Sequence, residues 1–230
     1  MMPFLKRWSD GIENAILPAD KQIKAWRRAN RKRRWNIPSA EFKEIGQPPP
    51  LTSKDVEDGF IGSILSYGFG GDGSGNSDTV LSAQKAWEYA CKSLFRKTWQ
   101  CEYIDFNRTD DIRLQPDAQA RLKGFYFTKF KPAKQNQSMT VSQFRKNLNT
   151  DTGLGPEGIQ LLAVTHTHFQ KLMHNRETPF MALADFDVAP HGFNDFYDAP
   201  QMFCSNETLG LGIGNIDHNY PLFGIPTIRF

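Results

Sequence analysis

Cysteine is scarce in this chain: three among 230 residues, Cys91, Cys101 and Cys204, an odd number without a CxxC pair. That spacing excludes a disulfide framework and a zinc knuckle, and it fits a reducing compartment. No apolar run approaches the roughly 20 residues that a membrane span needs. The opening MMPFLKRW lacks the apolar core of a secretory signal, so the triplets at Asn107, Asn136 and Asn206 are expected to carry no glycan. Catalytic signatures are missing too. There is no G-x-S-x-G elbow, no cysteine has a basic helper that sequence can place, and no internal repeat is visible.

What is present is enough for a core. Hydrophobic residues make up 39% of the chain and aromatics 13%, including 18 Phe, which argues for one folded domain with tails. The net charge of +3 conceals an uneven distribution. Residues 1–50 hold eleven Lys or Arg against five Asp or Glu, whereas residues 177–230 hold one base, Arg229, against seven acids. A basic head and an acidic tail can attract copies of the same chain or dock two different partners.

The strongest bias is AWRRANRKRRW, residues 25–35, within a run of eight Lys or Arg and no acid between 21 and 35. Asp20 offers an N-cap to a helix running to about Trp35. Its apolar stripe is thin, Ile23, Trp26 and Ala29, so the helix is expected to contribute little to a core. Ahead of it, Phe4, Leu5, Trp8, Ile12 and Ile16 recur at helical spacing up to Pro18. Behind it, Pro38, Gly46 and Pro48 to Pro50 read as an extended linker.

Further along, Thr52 and Asp55 form a capping-box pattern before a helix expected over 53–66. Asp78 can cap a helix ending near Lys97, with Val80, Trp87, Cys91 and Leu94 on one face. WQCEYIDF and GFYFTKF alternate as two strands that could pair with each other. Thr140 opens a short helix, and Pro156 with Glu157 begins a longer one over 156–174. Beyond Asn175 no period is sustained. The expected fold is therefore α+β: a basic helical arm (1–35), a proline-rich linker (36–52) and a mainly helical body with a small antiparallel sheet (53–174). A long, irregular, acidic and aromatic segment (175–230) packs on the body or on a partner.

Two regions invite a metal. THTHFQKLMH, residues 165–174, holds three of the five histidines, and its T-H-x-H start resembles the metal motif of metallo-β-lactamase-like hydrolases. That motif continues with Asp and His where this chain has Gln170 and Lys171, and nothing of that family's activity is carried over. On a helix, His166 and His168 point about 200° apart and cannot share an ion, whereas on a strand they share a face. ADFDVAPHGFNDFYD, residues 184–198, gathers Asp185, Asp187, His191, Asp195 and Asp198, which could hold a hard or borderline cation or supply an acid and a base. The stretch Gly70 to Ser77 approaches both a phosphate loop and a calcium loop, but Asn76 replaces the phosphate-contacting lysine and Ala83 the twelfth-position glutamate.

Three partners suit the basic stretch. Nucleic-acid phosphates would meet Lys24, Arg27, Arg28, Arg31, Lys32, Arg33 and Arg34, with Trp26 or Trp35 stacking on exposed bases. Another protein subunit, including the acidic end of a second copy, would meet the same charges. A membrane surface would take residues 4–16 into its interface. No sequence-reading nucleic-acid motif accompanies the cluster. The expectation is a non-enzymatic structural or adaptor subunit of a larger assembly, a nucleoprotein particle or a secretion or conjugation machine, working without a cofactor. The alternatives are a metal-dependent hydrolase built on His166, His168 and Asp187, and a peripheral membrane protein anchored by residues 4–16.

Overall fold

The computed structural model describes residues 16–70, 75–94, 97–106, 108, 111–115, 122–137, 139–148, 151–172, 180–189, 196–205, 208–220 and 223–230. Residues 4–15 of the expected first helix, residues 71–74 of the glycine stretch, His191 and Asp195 lie outside them.

The first helix, α1 (Ala19–Arg33), is rich in Ala, Lys, Arg and Gln, strong helix formers. It begins after Pro18, which leaves Asp20 inside the first turn rather than at the cap. It ends at Arg34, whose left-handed φ of 52° lets its N–H reach Asn30 O. Then come α2 (Glu41–Glu44) and α3 (Ser53–Glu57), the latter capped reciprocally by Thr52 and Asp55. The helix expected to reach residue 66 stops here. Gly59 adopts a φ of 89°, and the chain turns into strand β1 (Gly62–Gly68).

Next are α4 (Gly75–Tyr89), continued by a π-helical turn at Ala90–Leu94, then β2 (Lys97–Gln100), β3 (Ile112–Leu114) and β4 (Gly124–Lys131). Helix α5 (Val141–Lys146) carries the capping box of Thr140 and Gln143. Strand β5 (Thr152–Gly153) leads to α6 (Pro156–Gln160), a π turn at Leu161–Thr165 and α7 (Phe169–Leu172). The last part is strand-rich: β6 (Phe180–Ala182), β7 (Phe186–Val188), β8 (Asp198–Ser205), β9 (Thr208–Asn215), β10 (Phe223–Gly224) and β11 (Thr227–Arg229).

These strands form two sheets, and they overturn the expectation of a mainly helical body with a small sheet. One sheet has the order β1-β4-β11-β5, and the other contains seven strands. In the larger sheet β8 pairs with β6, β7 and β9, while β10 joins β6 and β2 joins β9 in parallel. The strands read at 99–106 and 124–130 do not pair with each other: β2 lies beside β9, and β4 runs antiparallel to β1 from Gly68↔Gly124 to Gly62↔Phe130.

The segment expected to be irregular supplies most of the larger sheet, and glycine explains why its period was hidden. In β9, TLGLGIGN, Leu209 and Leu211 enter the main core, while Gly210 faces away between Trp99 and Phe203 in the strand register. A Cβ on Gly210 would stand 2.1 Å from the Phe203 ring, so only glycine lets that ring lie across β9 to reach Trp99, centroids 5.7 Å apart. Glycine has low strand propensity, and an alternation of Leu with Gly gives no apolar-polar signal.

Residues from the expected arm, linker, body and C-terminal segment share one core: Trp26, Ala29, Ile37 and Phe42 belong to the same buried cluster as Ile64, Leu162 and Phe186. A smaller cluster places Val141 and Phe144 of α5 over Ala182 and Ala199. Among the described residues no helix is long and apolar enough to cross a membrane.

Candidate docking surface on the basic helix

Helix α1 is fixed to β1 by side chains that sequence reading passed over. Gln22, 1% exposed, donates through Nε2 to Leu17 O (2.7 Å) and Ser63 O (3.0 Å), and its Oε1 accepts from Leu65 N–H (2.7 Å). One turn on, the fully buried Trp26 donates from Nε1 to Leu65 O at 3.0 Å. Asn30, another turn on, exchanges both amide groups with the backbone of Ile37, at 3.0 and 3.1 Å. Positions 22, 26, 29 and 30 form one helical face. The signal for Gln22 was its spacing of four from Trp26, but a lone glutamine beside so many cations reads as solvated.

The two tryptophans are turned inward. Trp26 meets Tyr67 at 5.9 Å and Phe125 at 5.8 Å between centroids, and Trp35 folds back after the left-handed Arg34 to meet Trp26, Phe69 and Tyr89. The expected stacking of Trp26 on nucleic-acid bases has no free ring face to use, because that ring is part of the core. Trp35 is half-buried in the same aromatic group.

The cations point the other way. Lys24, Arg27, Arg28, Arg31, Lys32 and Arg34 are exposed, and so is Lys21 at the start of the helix. Among the described residues, α1 makes one ion pair, from Arg33 Nη2 to Glu88 Oε2 at 3.3 Å. Arg27 lies 5.5 Å over the Phe42 ring. Arg28 is close enough to Tyr89 to oppose the burial that raises the phenol's pKa. The outcome is a ridge about 22 Å long, from 15 residues rising 1.5 Å each, that carries exposed Lys and Arg on one face and is anchored on the other.

The metal candidates are engaged elsewhere. The expected single helix over 156–174 is broken by the π turn, in which His166 N–H bonds Leu161 O at 2.7 Å. An extra residue in that turn takes His166 out of helical phase and into the core. His166 is fully buried; its Nε2 accepts from Leu17 N–H at 3.0 Å and its Nδ1 lies 2.8 Å from Thr165 Oγ1. Burial, with a smaller contribution from His168, lowers its pKa to about 3, so the ring is neutral. His168 sits 5.7 Å from it between ring centroids and packs edge-on against Phe169.

Asp185 accepts from Thr152 Oγ1–H at 2.6 Å and from Gly153 N–H at 2.8 Å. Asp187 accepts from Arg145 Nη1 at 2.8 Å and pairs with Arg113 at 3.4 Å. Arg145 also donates to Ala184 O and Phe186 O, so these acids brace a loop of the larger sheet. Among the described residues, no three His, Cys, Asp or Glu come together in a group that could hold a metal ion.

No protein-family model, curated protein or solved structure matches this chain.

Proposed function

We propose that this chain is a non-enzymatic structural or adaptor subunit of a larger assembly, and that it docks through the outer face of α1. One observation carries the reading: a ridge of exposed Lys and Arg stands on a helix whose inner face is locked by Gln22, Trp26 and Asn30. A charge run needed only for solvation has no use for a rigid mount, whereas a docking face gains from it. Fixing the backbone beforehand removes most of the ordering cost that a flexible basic arm would meet on binding. The exposed Lys and Arg of the ridge, which make no ion pair among the described residues, also repel one another, a strain that a polyanionic partner relieves.

The test is a fourfold charge reversal, Arg27→Glu, Arg28→Glu, Arg31→Glu and Lys32→Glu, in the full chain. The tagged protein is followed by size-exclusion chromatography in extract of its own host at low ionic strength. Wild type should run in a high-mass fraction and the variant as a free chain with an unchanged circular dichroism spectrum. A variant that stays in the high-mass fraction as wild type does would refute the proposal.

A further inference from the structure

We infer that the partner of the α1 ridge is the phosphate backbone of duplex nucleic acid, bound without reading base sequence. This rests on the docking reading above and names its partner.

The composition of the face separates the candidates. Specific protein interfaces are built around a buried apolar or aromatic centre, with charged residues depleted there. The large exposed hydrophobics, such as Trp99, Tyr197 and Leu122, all lie off α1, whose exposed face offers Lys and Arg. Interfaces to nucleic acid have that character: polar, strongly positive and rich in Arg, whose planar fork matches phosphate oxygens in pairs. Four of the exposed cations, Arg27, Arg28, Arg31 and Arg34, are arginines.

A single strand is disfavoured by the same geometry. Proteins that hold single strands add aromatic platforms on which bases stack. Here Trp26 is fully buried and Trp35 is committed to Phe69 and Tyr89, so among the described residues the ridge has cations but no platform. A duplex, with one charge per about 1.7 Å of axis, presents a denser line of phosphates to a straight cationic ridge.

A second copy of the chain is disfavoured as well, although the sequence has an acidic end. Asp185 and Asp187 are buried in the contacts that brace the larger sheet. Among the described residues after 177, Asp217 is exposed and Asp198 half-buried, two acids against the seven exposed cations of the ridge.

Fluorescence anisotropy tests the inference with the full chain, two labelled duplexes of about 20 base pairs and unrelated sequence, and a single strand of equal length. The two duplexes should bind equally and the single strand more weakly. With four to six phosphates neutralised, log K should fall against log salt with a slope of about −4 to −5. The fourfold reversal should weaken duplex binding by about 100-fold or more, while Lys54→Glu with Lys97→Glu, away from α1, should change it less than about fivefold. Polyglutamate binding as tightly as duplex would overturn the inference in favour of an acidic protein, and tighter single-strand binding would overturn the duplex preference. If the reversal releases the chain from its high-mass fraction yet no duplex binds, the docking reading stands and this inference falls. If neither changes, both fall.

Discussion

Arg229, the penultimate residue, donates from Nη1 to Asp55 Oδ1 at 2.8 Å, tying the last strand to the short helix α3 across 174 positions of sequence. The same guanidinium reaches Asp58 at 3.0 Å and Asp151 at 2.6 Å, and its face covers the Phe60 ring. Asp55 is further held by Lys129 at 2.7 Å and by Thr52 through both N–H and Oγ1–H. β11 lies between β4 and β5, so the smaller sheet is joined through it.

Arg229→Ala should therefore destabilise the whole fold, not merely fray a terminus. It leaves Asp55 short of one partner and Asp58 and Asp151 without this bridge. The expected drop in Tm is roughly 5 °C or more, with Arg229→Lys recovering part of it. Lys129, followed by Thr52, holds the Asp55 carboxyl well below the usual carboxylate range. Its contribution is thus complete above the ordinary pKa near 4 and is lost as the pH falls below that. Thermal melts check both statements: the variant should melt lower than wild type at pH 7, and wild type should melt lower at pH 3 than at pH 7.

His166 gives a second, separate acid sensitivity. Its folded pKa of about 3 lies below the unfolded value near 6.5, so between these values the unfolded state binds more protons. Stability contributed by the neutral ring is complete above pH 6.5 and falls as the pH drops toward 3, by up to about 1.4 kcal/mol per pH unit. His166→Asn keeps an acceptor for Leu17 N–H but does not titrate. Urea unfolding between pH 7 and 5, above the carboxylate range, should show a steeper loss for wild type than for the variant; equal slopes would exclude this role.

Gly210→Val should cost about 1–3 kcal/mol or more, since its side chain enters the space of the Phe203 ring. Phe203→Ala removes that ring, so the double variant should be less destabilised than the sum of the singles. A double-mutant cycle by denaturant unfolding measures the coupling, and additivity within about 0.3 kcal/mol would show that ring and glycine do not oppose each other.

Sequence reading went furthest where one rule acts locally. The capping box at Thr52, the helix opened by Thr140, the helix after Pro18 and the strand GFYFTKF all follow from contacts within a few residues. So does the cationic ridge, because the outer face of a helix needs nothing but its own sequence. Reading failed where a residue's role depends on a distant partner. Ile64 and Leu65 fit a helical face as well as a strand until β4 supplies hydrogen bonds; Gly210 looks like a strand breaker until Phe203 fills its space.

By itself, then, the amino-acid order determined where positive charge accumulates, which short segments cap and turn, and that three cysteines make no framework. Only the tertiary structure decided that the basic helix stands on the body, that Trp26 is core, and that Asp185 and Asp187 face inward. Those outcomes turn on pairings across tens to more than a hundred residues: Gln22 with Leu65, Leu17 with His166, Arg145 with Asp187. Burying a polar group is favourable only once such a partner is in place, and no local pattern in the chain specifies which partner that will be.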